Sequence, residues 1–463
     1  MTSFPHPLYR AIVLEPAYAD ASRYLFAPML AANRAHVRML ARQGIIDTTC
    51  MEKIVAAIDE IERMGIGAFP YQPPTEDLFF AVEGKVIELA GADCGGNLQL
   101  ARSRNDLGAA LGRMALRDLQ QTLIGDQIAL RRAILIQARA HLDTLMPGHT
   151  HTQPAQPTTF AHYLMAVAAG LERDTARMRE AYSITNRSPL GAAAFTTTGF
   201  PIDREWIAGE LGFDGLVLNA HDAIGAADHY LQTASALQIM ASTLTRFCHD
   251  LLIMATQEVG AITVDDAYIQ ISSIMPQKRN PVVLEHLRAR LAKLYGGAQT
   301  IFLQAHNVFY GDTQDIEDEM IGPLFSMCET ARECLNLLTT TVETLVVHRA
   351  RLAARAAAGF TTATELADAL TREMGMPFRS AHKVVARVVR RAISEGAQPA
   401  QVTAAMVYDA LAHTGVPGPA VPIDDAFVQR ALDPGQFIAT RNIPGGVGRM
   451  AAEAMLAQLE AAL

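Results

Sequence analysis

Long stretches of the chain place apolar side chains three and four residues apart, the spacing that lines one face of a helix. Almost nowhere do they alternate as in a strand. Leu231, Ala234, Leu237, Met240, Leu244, Phe247 and Leu251 show the pattern. Gly and Pro interrupt helices, so the gaps between them mark regular structure. Ala226 to Val259 and Leu324 to Ala358 contain neither; as one helix the first would run about 50 Å. Asp126 to Met146, Pro157 to Tyr182 and a segment opening at Pro281 complete a predicted set of five long helices, the last with Gly296 and Gly297 as bending points. Helices this long, rich in Ala, Leu and Met, cannot bury themselves within one short bundle, which predicts burial between subunits.

Ahead of residue 105 the Pro-rich Phe69 to Pro74 and Gly95-Gly96 break the pattern into shorter helices; after Gly359, breaks at Gly375-Met376-Pro377 and Gly415 to Pro419 do the same. The reading is an all-α chain: an N-terminal helical domain (1–104), a central long-helix domain (105–358) and a C-terminal helical domain (359–463).

Charge narrows the partners. The 463 residues carry 39 Lys+Arg against 48 Asp+Glu, a net charge of −9, with no cationic block. Neither nucleic acid nor an anionic membrane finds its counter-surface here. There is no apolar run of membrane-spanning length, and Met1-Thr2-Ser3-Phe4-Pro5-His6 lacks a basic stretch followed by an apolar one, so the expected location is cytoplasmic. Cys50, Cys94, Cys248, Cys328 and Cys334 are scattered without a C-x-x-C pair, which reads as reduced core thiols and no zinc site.

Three polar islands interrupt this apolar background where long helices begin or end. Arg102-Ser103-Arg104-Asn105-Asp106 sets guanidinium, hydroxyl and amide donors at a helix start, a combination suited to carboxylates or equally to a solvated helix end. His149 to Pro157 is nearly all donors and acceptors, and its prolines exclude helix interior. Ser272-Ser273-Ile274-Met275-Pro276-Gln277-Lys278-Arg279-Asn280, then Pro281 and a helix carrying Glu285, gathers hydroxyls, a cation and an amide before a helix N-terminus, as a developing oxyanion requires. His162 and His382 read as packing residues, the 19 methionines as core filler, and the acidic run Asp312 to Glu319 as a solvated turn.

The third island resembles the G-S-S-x-M-P-x-K-x-N signature of the fumarase/aspartase superfamily, departing only at Ile271. Ser103-Arg104-Asn105-Asp106 and Thr150-His151-Thr152-Gln153-Pro154-Ala155-Gln156-Pro157 are similar to the S-R-N-D and T-H-x-Q-x-A-Q-P segments of its argininosuccinate lyase branch. The resemblance implies a five-helix central bundle, a homotetramer with a twenty-helix core and active sites built from three subunits. It also implies anti elimination of fumarate and an amine from a small-molecule N-substituted aspartate, with no metal or organic cofactor. By resemblance Ser272 is the base, with Ser273 as fallback, and His151 with Glu285 forms a His–carboxylate pair. Lys278 and Asn280 face the dianionic intermediate, and Ser103, Arg104, Asn105, Thr150, Gln153, Ser273 and Gln314 bind substrate.

Departures cluster where that branch recognises the arginine half. In place of Y-N-x-D-L-Q-E-D-K the chain has Phe309-Tyr310-Gly311-Asp312-Thr313-Gln314-Asp315-Ile316-Glu317, with Glu317 for the lysine. Phe79 replaces a histidine, which suggests apolar contact with the amine. The expected substrate is an N-substituted aspartate of the ethylenediamine-disuccinate kind; a true argininosuccinate lyase and a catalytically retired structural oligomer are the alternatives.

Overall fold

In a computed structural model describing residues 4–419 and 421–463, the chain is all-α, 67% helical. Met1, Thr2 and Ser3 of the N-terminal reading lie outside the described residues. The five long helices are Arg104–Ala140, Phe160–Thr185, Asp228–Ala255, Val282–Ala305 and Ile321–Glu343. The first begins at Arg104, far ahead of Asp126, because glycine is tolerated inside it where another element comes close. A Cβ on Gly108 would stand 2.6 Å from the Glu317 carboxyl oxygen, and one on Gly112 would overlap the Tyr230 hydroxyl. Conversely, Leu324 to Ala358 is not one helix: the short strand Val346–Val347 separates Ile321–Glu343 from Arg349–Ala357.

The chain divides into two compact units, residues 1–126, 174–242 and 289–334, and residues 127–173, 243–288 and 335–463. In the first, helices Phe26–Arg42, Thr48–Met64 and Leu78–Ala90 enclose Leu40, Ile54, Ile58, Ile61, Val82 and Val86. Each such side chain contributes about 1.5–3 kcal/mol through burial. Asp47 and Asp77 cap the second and third of these helices by accepting the N–H groups of Cys50 and Phe80. Cys50 and Cys94, 44 residues apart, are joined as a disulfide, correcting the expectation of five reduced thiols; Cys248, Cys328 and Cys334 are buried and outside any disulfide among the described residues. Spacing gave no hint, because Ala92–Gly95 packs back on Thr48–Met64 only through the tertiary fold. Phe79 also departs from expectation: it is buried in this core, edge-on to Phe80.

In the second unit, helices Ala363–Arg372, Phe378–Ser394, Ala404–Thr414 and Asp425–Leu432 surround Leu370, Val384, Val388, Val407 and Val428. Glu365, buried among them, is held by Arg372 (2.8 Å) and Arg441 (2.6 Å). No helix among the described residues is long and apolar enough to cross a membrane.

Candidate active site

In the first unit the long Arg104–Ala140 helix starts on a clamp built by Asp106. Its carboxylate, fully buried, accepts N–H groups from Ser103 (3.0 Å), Gly191 (2.9 Å) and Ala193 (3.0 Å). Burial raises its pKa against the lowering pull of these donors and Arg102. Gly191 turns at φ +82°, and a Cβ there would meet Arg204 at 2.5 Å, so only glycine lets this loop lie on the helix start. Ser103 donates its hydroxyl to Asn105 Oδ1 (3.0 Å), and Asn105 Nδ2 reaches the Ala194 carbonyl (3.4 Å). The two arginines of this island part company. Arg102 is buried and bonded to Asn33, Gln99 and the Leu98 carbonyl, whereas Arg104 stands half-exposed over the Phe80 ring, paired with Asp77 (2.8 Å) and Glu76 (3.6 Å).

Gln314 opens the short helix Gln314–Glu317 in the same unit and is exposed. Glu317 is not in the solvated turn expected of the acidic run. It packs on Gly108, and burial first, then Asp312 and Asp318, pushes its carboxyl up to about 8 against the pull of Arg104. It helps line a narrow pocket of about 30 Å³ with Asn105, Gly108, His229, Tyr230, Asp312 and Thr313. Burial and Arg113 hold His229 down to about 3. Its Nδ1 lies 3.9 Å from the Asp228 carboxylate, while its Nε2 and the Thr313 hydroxyl lack a hydrogen-bond partner among the described residues. Sequence reasoning missed His229 and Thr313: one sits in an apolar helix, the other between Asp312 and Gln314, and neither carries a motif.

The second unit holds the other candidates. The second island is a hairpin, β1 (Leu145–Thr150) antiparallel to β2 (Gln153–Thr159), with Thr150 opposite Gln153 and a register shift between Gly148 and His149. Its prolines hid the strands. Two residues close it, His151 (φ +49°) and Thr152 (φ +66°), both exposed. Two-residue hairpin loops favour positive φ, usually met by Asn or Gly, so holding histidine and threonine there costs roughly 1 kcal/mol each. The strain puts the imidazole at the tip. His162, as expected, is a packing residue, in contact with Thr158 Oγ1 (3.3 Å) and the Gly445 carbonyl (3.1 Å).

The third island is the loop of another small hairpin, Gln270–Ile271 paired with Arg279–Asn280. Half-buried Ser272 accepts the N–H groups of Met275 (3.0 Å) and Ile274 (3.4 Å) on Oγ, while Ser273 to Arg279 are exposed. These two donors face the oxygen that would carry negative charge as an alkoxide. Lys278, Asn280 and Glu285 line one open cleft with His348 and Arg351, and Glu285 lies exposed in the first turn of Val282–Ala305. Among the described residues no hydrogen bond or ion pair within the chain joins His151 to Glu285.

A lyase family model matches residues 19–296, and a model of the argininosuccinate lyase C-terminal region matches residues 360–439. Argininosuccinate lyase 1 of Shouchella clausii (strain KSM-K16) is 35% identical over 98% of this chain and 90% of its own length. The argininosuccinate lyase of Methanocaldococcus jannaschii is 36% identical over 91% of this chain and 85% of its own. Among solved structures, EDDS lyase in complex with formate superposes with a TM-score of 0.85 at 30% identity, covering 100% of this chain and 90% of that one. An EDDS lyase variant with bound fumarate gives 0.84 at 30%, covering 99% and 90%. A class II fumarase from Schistosoma mansoni, 15% identical with a TM-score of 0.72 over 91% of each chain, shares the fold. With these family models and relatives spanning nearly its whole length, the chain belongs to the argininosuccinate lyase branch of the fumarase/aspartase superfamily and is a carbon–nitrogen lyase releasing fumarate.

Proposed function

We propose that this lyase acts on an N-substituted aspartate whose amine is not arginine. The observation that carries the reading is Glu317, an acid packed on Gly108 where the family segment has a lysine. An arginine carboxylate placed near it would meet acidic groups in place of a cation.

In the proposed reaction Ser272, as alkoxide, takes the proton from the carbon next to a carboxylate. Lys278 and Asn280 pair with the dianionic carboxylate that forms, the Cα–N bond breaks on the opposite face, and the amine leaves with its electron pair. The Ser272 bonds to Ile274 and Met275 support the first step, since they favour the oxyanion. His151, oriented by Glu285, organises the site, and Ser103, Arg104, Asn105, Thr150, Gln153, Ser273 and Gln314 hold substrate. The scheme uses no metal or organic cofactor.

Because these residues lie at separate places along one chain, the proposal includes a cytoplasmic homotetramer whose three-subunit sites bring them together. The domains it assigns are 1–104, 105–358 and 359–463. Support comes from apolar side chains left exposed on the long helices: Ile136 (61%), Ile253 (49%) and Leu303 (69%).

The test follows fumarate absorbance over a panel of N-substituted aspartates. The expected outcome is argininosuccinate at least about a hundredfold poorer in kcat/KM than the best substrate, equivalent to about 2.7 kcal/mol. Efficient cleavage of argininosuccinate with no activity on the others would instead establish the second reading, a divergent argininosuccinate lyase, which the 35% identity over 98% of the chain favours.

A further inference from the structure

The two sulfurs of the Cys50–Cys94 bond differ in access. Cys50 is the third residue of the Thr48–Met64 helix and is half-buried, whereas Cys94, in the short helix Ala92–Gly95, is buried. An incoming thiol therefore reaches Cys50 first.

Two routes lead from this bond to the Ser103–Asp106 corner, both within one compact unit. The first is the chain itself, which runs from Cys94 into Arg102 and Ser103. Gly95 is pressed so close to the Leu78–Ala90 helix that a Cβ on it would stand 2.6 Å from Ile87 Cα. The backbone N–H groups of Gly95, Gly96, Asn97 and Leu98 all bond within residues 91–98, so at this end the disulfide supplies the bond to a neighbouring helix. Further on, Arg102 donates to Asn33 (2.7 Å) and His36 Nε2 meets the Leu100 carbonyl (2.9 Å). The second route is the Leu78–Ala90 helix, which packs on Ala92–Gly95 and is capped at its start by Asp77, the partner of Arg104 (2.8 Å).

We propose that Cys50–Cys94 is a reversible thiol–disulfide exchange site, its partners a dithiol reductant and the oxidised form of that dithiol, and that the closed bond strengthens the corner's hold on a substrate carboxylate. A thiolate of the dithiol attacks Cys50 Sγ, the S–S bond breaks, and Cys94 leaves as a thiolate that takes up a proton. The second thiol of the dithiol attacks the reductant sulfur bound to Cys50 and releases the Cys50 thiolate, which is protonated in turn. The cysteine pair gains two electrons and two protons, and the dithiol loses them as it closes to a cyclic disulfide. In the cytoplasm, the location proposed for this lyase, disulfides are usually transient or redox-sensing. Opening a ring that spans 44 residues favours locally unfolded states of the segment before the corner, and a corner competent for part of the time binds more weakly by that fraction. This effect rests on the reading of the corner as substrate-binding.

The experiment equilibrates the enzyme in mixtures of dithiothreitol and its oxidised form, counts thiols after acid quench and denaturation, and measures the fumarate Kd by calorimetry at each ratio. Of the five cysteines, three should count as thiols at the oxidised end and five at the reduced end. Fumarate should bind about fivefold more weakly to the reduced enzyme and regain its affinity on reoxidation, a reversal that needs no variant to fold. Cys50→Ser and Cys94→Ser should each show the weaker Kd at every ratio. Five thiols throughout, three throughout, or a thiol count that changes while the Kd does not, each overturns the inference. Arg104→Ala tests the reading beneath it: an unaltered fumarate Kd in that variant sinks the corner's role in binding, whereas weakened binding there with no effect of the redox ratio sinks the exchange site alone.

Discussion

The Ser103–Asp106 corner and the Ser272–Lys278 loop both carry motif residues, yet the fold holds them by opposite means. The corner is over-determined: a buried carboxylate takes three N–H groups and locks a loop from far along the chain onto the helix start. The loop hangs between two two-residue strands, exposed over most of its length, its order coming from its own Ser272 turn. In the proposed reaction the difference separates two jobs. Groups that grip unreacting carboxylates gain from rigidity fixed before binding, whereas a base that must reach the substrate needs little support from the core.

The sharpest way to break this contrast is Ser272→Ala. Turnover is expected to fall by at least about a thousandfold, ~4 kcal/mol of transition-state stabilisation, with the unfolding midpoint unchanged. Were Ser273→Ala the inactive variant instead, the role would move by one residue. Asp106→Ala should do the reverse of Ser272→Ala, leaving three N–H groups without an acceptor and costing about 3 kcal/mol of stability in denaturant titration. Equal stability loss from both would erase the distinction.

The smallest effect concerns pH and a third region. Glu317 is pushed up to about 8 in the folded chain and relaxes to the ordinary glutamate value near 4.5 on unfolding. Between those values the folded state binds more protons, so the sign is a stability that falls as pH rises from about 4.5 to 8. Glu317→Gln should flatten that fall, read as unfolding free energy at pH 5 and pH 8. An unaltered slope would place Glu317 in water and rejoin it to the solvated turn its neighbours suggest.

What the sequence made legible follows from the range of the physics. Helical periodicity is local, so the long helices could be read from Gly and Pro spacing; the first was misplaced because Gly108 and Gly112 answer to distant Glu317 and Tyr230. The polar islands stood out against apolar surroundings, and resemblance supplied roles that spacing could not. The β1–β2 hairpin was hidden by Pro147, Pro154 and Pro157, residues that usually argue against strands. The Cys50–Cys94 bond, the inward turn of Glu317 and the unsatisfied Nε2 of His229 depend on contacts far apart in the chain, and local pattern carries no trace of them.

The glycines of the Arg104–Ala140 helix also bear on the order in which the chain folds. Gly108, Gly112 and Gly125 each cost a free helix about 1 kcal/mol relative to alanine, and two of them fall in its first turns. Its front end therefore has little reason to coil by itself. It acquires helical structure when Tyr230 and the Gln314–Glu317 turn arrive to fill the space beside those bare backbones. Its glycine-free stretch after Gly125 is under no such constraint and can nucleate from local propensity. The Ser103–Asp106 corner is thereby expected to form late in folding, after the Gln314–Glu317 turn some two hundred positions downstream has found its place.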